Sequence, residues 1–170
     1  GWPQLDYANW VAATGVIAAI AGVVFGPMID RIGALIVLKW VVLFRVITFV
    51  VMGFTVEYWP SGYVFHGFML VNAVATQWVT VAIIALFMRL CAVSVAASQF
   101  AVYMALANVT YSMGSGLLAL ISDLIDYGEM MWLSGVLIGS MWLLLRFIDF
   151  NQHDRDIERV ERVSQTESKK

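Results

Sequence analysis

Five apolar runs, each long enough to cross a bilayer, take up most of this sequence and decide what it can fold into. Crossing about 30 Å of hydrocarbon takes roughly 17 to 25 helical residues. The runs fall at Asn9 to Gly26, Ala34 to Thr55, Val64 to Phe87, Ala92 to Ile121 and Met130 to Ile148. The fourth is long enough to tilt, to kink at Gly114 and Gly116, or to extend past the membrane. The expected fold class is therefore all-α, a polytopic membrane helix bundle over residues 1–150. Residues 151–170 mix both charge signs and end in a Ser/Thr/Gln/Lys-rich run, so an exposed cytoplasmic tail with at most a short helix is expected there.

Composition agrees with a lipid solvent. The chain is 61% hydrophobic and 13% charged, whereas a soluble domain carries about 25% charged residues. A formal net charge of -2 with no basic stripe argues against a nucleic-acid partner and leaves the lipid bilayer as the expected one. With Cys91 as its one thiol, the chain has no internal disulfide and no cysteine-rich metal site. Enzyme chemistry also lacks its parts. No histidine and carboxylate cluster has metal spacing, no glycine-rich phosphate loop follows a strand, and no nucleophile sits beside a base, so no cofactor is expected. The start at Gly1 and the absence of signal-peptide features in Gly1 to Tyr7 raise the expectation of a missing upstream portion.

The connectors sort by charge. Arg31, Arg89 and the tail fall on one side, while Glu57, Asp123, Asp126 and Glu129 fall on the other. By the positive-inside rule the first group and the C-terminus are expected to be cytoplasmic. Trp2, Tyr58, Trp59 and Tyr63 near the outer ends read as an aromatic belt, with His66 just inside it and suited to an interfacial hydrogen bond or, less readily, to carrying protons. His153 belongs to the solvated tail.

Polar residues within the runs are the candidates for function. Arg45 lies eleven positions beyond Ala34, hence about 16 Å into the hydrocarbon and near its midplane. A central arginine costs about 2.5 to 3.5 kcal/mol on the lenient insertion scale, so it is expected to face a partner, water or an anionic solute. A shifted or tilted span would instead let it snorkel, as Lys39 and Arg146 are expected to do. Asn72, Thr76 and Thr80 follow one another at four-residue spacing with Gln77 alongside, a polar stripe fit to line a solute path, although threonines also bond back to their own helix. Gln99 and Tyr103 share one face of the fourth span and Asn108, Ser112 and Ser115 another, readable as cavity lining or as interhelical hydrogen bonding. In the first span Ala12, Gly15, Ala19, Gly22 and Gly26 form a smooth stripe for close helix contact, expected against the other half of a larger bundle.

The first connector reads Gly26-Pro27-Met28-Ile29-Asp30-Arg31-Ile32-Gly33, a short turn in which Asp30 is expected to cap the next helix. Its Gly26-x-x-x-Asp30-Arg31-x-Gly33 pattern resembles the signature loop of the major facilitator superfamily, which follows the second helix of each six-helix half. The family pattern continues with two basic residues where this chain has Ala34 and Leu35. The resemblance implies a gating role for Gly26, Asp30, Arg31 and Gly33, and it makes the five runs helices eight to twelve of a twelve-helix transporter. A second stretch, Ala96-Ala97-Ser98-Gln99-Phe100-Ala101, continuing to Asn108 and then Tyr111 to Ser115, resembles the penultimate helix of AmpG-type muropeptide permeases and the related peptide and acetyl-coenzyme A transporters. Ser98 stands where those proteins typically have threonine.

Together these resemblances imply the C-terminal part of a secondary transporter in a bacterial inner membrane. It is expected to work by alternating access, with proton coupling, on a polar small-molecule solute of which a muropeptide is the first example. Its partner is the missing N-terminal half. The expected solute contacts are Arg45, Asn72, Gln77, Gln99 and Tyr103. None of the five runs holds a mid-membrane Asp or Glu, so a coupling acid would come from upstream or another group would do its work. The competing readings are another branch of the superfamily, carrying a siderophore, drug or metabolite, and a membrane scaffold subunit that transports nothing.

Overall fold

The computed structural model describes residues 4–92, 95–122 and 124–147. They form five helices: α1 (Gln4–Ile32), α2 (Ala34–Phe54), α3 (Tyr63–Leu90), α4 (Ala96–Ile121) and α5 (Tyr127–Phe147), with a short 3-10 helix (Val56–Ser61) between α2 and α3. All five are long and apolar enough to cross a membrane, and the fold is an all-α helix bundle. Helices suit such sequences because every backbone N–H and C=O then finds its partner within one segment, where lipid offers none. The trailing residues, including the end of the fifth run at Ile148, the tail with His153, and also Trp2 and Asp123, lie outside the described residues.

Three boundaries differ from expectation by four residues or more, the first being the start of α1, at Gln4 rather than Asn9. The fourth helix begins at Ala96 rather than at residue 92 and runs unbroken through Gly114 and Gly116. The first helix does not stop at Gly26 but continues through Pro27, Asp30 and Arg31 to Ile32. The expected turn thus shrinks to one residue, Gly33, whose φ of 98° is open to glycine and costly for other residues. Asp30 consequently does not cap α2. It sits exposed in the last turn of α1, and Gly33 is the N-cap with no side-chain cap bond.

Tight reversal at Gly33 brings the C-terminal end of α1 and the N-terminal end of α2 together, and α3 packs across both. The core forms at that junction: Phe25 and Ile29 of α1, Val37, Leu38, Val41 and Val42 of α2, and Ala82 and Leu86 of α3. Ala82 is fully buried, small enough for the three helices to converge on it. Trp78 locks α3 to α1 in two ways, stacking on Phe25 at 4.5 Å between ring centres and donating its indole N–H to the Ala21 carbonyl at 3.3 Å. On its other flank α2 packs along α5, where Gly53, Gly135 and Gly139 admit Trp132, Val50 and Val46 respectively. The four helices therefore lie in the order α5, α2, α3, α1.

The fourth helix stands apart. It touches α3 near its start, and none of its residues is buried. Asn108, Ser112 and Ser115 are all exposed, and the Ser115 hydroxyl bonds back to the Ser112 carbonyl. The small-residue stripe of α1 divides in two: Gly22 is buried against α3, while Ala12, Gly15 and Ala19 remain exposed. The face of α1 that packs in this chain is instead Thr14, Ala18, Gly22, Phe25 and Ile29.

Candidate functional site

Arg45 and Asn72 meet at the middle of the bundle. Arg45 lies nine residues before the C-terminal end of α2 at Phe54, and Asn72 nine residues after the N-terminal end of α3 at Tyr63. Both are thus about 14 Å from those ends, at the same depth. The Arg45 Nη2 donates to Asn72 Oδ1 at 3.1 Å, and the guanidinium carbon lies 5.6 Å from the centre of the Phe49 ring. A guanidinium carries five N–H donors, and this hydrogen bond is the one it makes among the described residues. Its Nε is buried with no acceptor among the described residues. No carboxylate neutralises the charge: among the described residues the acids Asp6, Asp30, Glu57, Asp126 and Glu129 all lie at helix ends or in connectors. Sequence reasoning does not single out Phe49, although its position four residues beyond Arg45, on the same helix face, is the signal that could find it.

A groove of about 270 Å³ runs along the α2–α3 contact between this pair and the α2–α3 connector. Thr48, Met52 and Thr55 line it from α2, and Val64, Phe68 and Val71 from α3. Its inner end is marked by Thr48, one turn from Arg45, and by Val71, the neighbour of Asn72. The hydroxyls of Thr48 and Thr55 donate to the carbonyls of Phe44 at 2.9 Å and Met52 at 3.1 Å, so neither is an uncommitted donor in the groove wall.

The other expected site residues are not gathered here. Gln77 lies five residues beyond Asn72 on a different face of α3 and packs on Gly22 of α1; a Cβ at Gly22 would come within 2.8 Å of Gln77 Cγ. Thr76 and Thr80 are exposed and spend their hydroxyls on their own helix, on Asn72 O at 2.7 Å and Thr76 O at 2.9 Å. Gln99 and Tyr103 sit at the corner between α3 and α4. Gln99 Oε1 accepts the Ala92 backbone N–H at 2.8 Å, and the Tyr103 ring leans on Phe87 at 5.3 Å. Phe87 is fifteen residues beyond Asn72, about 22 Å along the helix, so this corner is remote from Arg45. The five expected contacts thus separate into one pair, one packing residue and one corner clamp.

Asp30 and Arg31, expected to act as a gate, have no hydrogen-bond or ion-pair partner among the described residues and are exposed in the last turn of α1. Of the two motif glycines, Gly33 makes the turn, whereas a Cβ at Gly26 would meet nothing within 4 Å. In the first turn of α3 His66 Nδ1–H donates to the Gly62 carbonyl, and the ring meets Trp10 edge to face at 4.7 Å. Tyr58 and Tyr63 are exposed. Among the described residues no group of histidine, cysteine and acidic side chains could hold a metal ion. Lys39 is half-buried in α2 and Arg146 exposed in the last turn of α5.

Comparison of the chain with protein-family models, with curated proteins and with solved structures finds no match.

Proposed function

We propose that this chain is part of a secondary transporter of the major facilitator type, supplying helices eight to twelve and moving a polar, acidic small molecule by alternating access. The observation that carries this reading is the mid-depth Arg45 guanidinium, tied to Asn72 by one hydrogen bond and without a counter-charge among the described residues. Holding a cation there costs free energy. An apolar residue of similar length would pack the same place without that cost, so the cation needs a reason beyond packing, and an anion that arrives and leaves supplies one. Asn72 holds the side chain in the empty state and adds an amide to the contact.

Two uncovered surfaces support a second bundle as partner. The exposed Ala12, Gly15 and Ala19 of α1 form a smooth face, and beyond its corner with α3 the fourth helix leaves Asn108, Ser112 and Ser115 uncovered. Rocking of one bundle on another around a central solute is the working cycle this predicts. Proton coupling then falls to a carboxylate in the partner half. Within the family the Ala96 to Asn108 string favours a muropeptide permease of a bacterial inner membrane with a cytoplasmic C-terminus. On this reading Gln99 and Tyr103 hold the α3–α4 corner and do not touch solute.

Uptake by cells carrying the intact transporter tests the proposal. Arg45→Ala is expected to abolish uptake of acidic solutes and Asn72→Ala to weaken it, with membrane levels of both variants unchanged. Unchanged uptake in both would favour the scaffold reading instead.

A further inference from the structure

The groove beside Arg45 bears on what kind of anion the site takes. Its wall is apolar, and the hydroxyls that interrupt it, those of Thr48 and Thr55, already donate to Phe44 O and Met52 O. A sugar or peptide arm laid there would leave its own polar groups unmatched at membrane depth, where each costs several kilocalories per mole. An alkyl or aryl arm would leave nothing unmatched. From Thr48 to Thr55 the groove spans seven residues of α2, about 10 Å, which suits a medium-length chain. Charge and shape therefore adjoin, with a cation that makes one hydrogen bond one turn beyond the Thr48 end of the groove and an apolar wall leading away from it.

We infer that the solute of this site is a single-chain amphiphilic anion, with its carboxylate or phosphate on Arg45 and its apolar arm in the α2–α3 groove. This rests on the reading of Arg45 as an anion contact, and in place of the sugar-peptide solute that the Ala96 to Asn108 string favours it puts an anion with an apolar arm. A bilayer phospholipid offers the same chemistry but is the poorer occupant. Its head would have to leave the interface for a point about 14 Å inside, dragging two chains with it. Binding need not break the α2–α3 tie, because the guanidinium spends one of its five N–H donors on Asn72 and others are left for an anion.

Thermal unfolding of the full chain in phosphatidylcholine nanodiscs tests this, with acetate, octanoate and neutral octanol as probes. Octanoate is expected to raise the midpoint at a concentration at least tenfold below that of acetate, since each methylene leaving water is worth about fourfold. Octanol is expected to give no such shift. Part of the octanoate advantage is simple partition into the bilayer, which is identical for every variant. The decisive comparison is therefore Gly67→Leu. Gly67 lines the groove, and a Cβ there meets nothing within 4 Å, so a larger side chain has room to start into the groove from this position. That variant should keep the acetate response and lose the octanoate advantage over it, while Arg45→Gln should lose both.

An unaltered octanoate advantage in Gly67→Leu, or an octanol shift equal to that of octanoate, would overturn the amphiphile and leave Arg45 as an anion site. Wild-type protein indifferent to every anion would overturn the Arg45 reading itself. Loss of the octanoate effect when phosphatidylglycerol is added to the disc would identify the occupant as bilayer lipid and overturn the solute. Should Arg45→Gln fail to fold, Gly67→Leu still decides the matter.

Discussion

Replacing Arg45 by methionine separates a residue kept for binding from one kept for stability, because the two roles predict different free energies. The substitution removes one interhelical hydrogen bond, the 3.1 Å contact with Asn72, worth about 0.6 to 1.7 kcal/mol in a membrane. It also removes the cation over Phe49 at 5.6 Å, worth about 0.5 to 1 kcal/mol. Against these losses stands the relief of the buried, unpaired Nε, a donor whose desolvation costs about 1 to 3 kcal/mol. The terms nearly cancel, so Arg45→Met should change unfolding free energy by less than about 1 kcal/mol. Asn72→Leu should behave differently, since it takes away the sole polar partner and leaves the charge behind, and a loss of about 1 to 3 kcal/mol is expected. In the double variant the charge is gone as well, and most of that loss should be recovered. Reversible unfolding in mixed micelles measures all three, and the cycle isolates the pair. A loss above about 2 kcal/mol for Arg45→Met alone would refute the reasoning, because the arginine would then be a structural tie.

Three further substitutions test the packing. Gly33→Val forces a branched residue to the φ of 98° that makes the α1–α2 turn, and a loss of about 1 to 3 kcal/mol is expected; Gly26→Ala, in open space within the helix, should be neutral or slightly stabilising in the same unfolding assay. Gly53→Val should separate α2 from α5, because a Cβ at Gly53 would sit 2.9 Å from the rigid Trp132 ring; overpacking of this kind costs about 1 to 3 kcal/mol, and Trp132→Ala should partly relieve it. Cys91, at the α3–α4 corner, is the chain's one thiol. An impermeant maleimide should reach it only after the membrane is opened, and labelling in intact cells would invert the proposed topology.

The fold was legible because its determinant is length. Five apolar runs allowed five helices, and the structure has them, with α2 and α5 within three residues of the expected bounds at their described ends. The errors came where composition is silent about continuity. Pro27 and Asp30 look like turn residues, yet a proline within an apolar run is tolerated when its side of the helix finds other partners, and α1 carries through both to Ile32. The single signal for the true turn was Gly33, and nothing in the local sequence distinguishes it from Gly26. The position of Gln99 was equally hidden. Helical spacing put it on a face with Tyr103, but the Ala92 N–H it caps comes from a connector seven residues earlier, a contact that only the geometry of the corner creates.

The Arg45–Asn72 pair shows what a sequence can and cannot specify about a membrane site. Depth was readable, since residue counts along two helices convert directly to ångströms. Pairing was not, because it depends on α2 and α3 being antiparallel neighbours in register, so that nine residues up one helix meet nine residues down the other. Neutral amides in such a register can make a satisfied hydrogen bond and serve as glue. An arginine that makes one bond and keeps a buried donor orphaned does not. Its arrangement is better matched to a ligand than to a neighbour, and the apolar groove that ends beside it gives that ligand somewhere to lie.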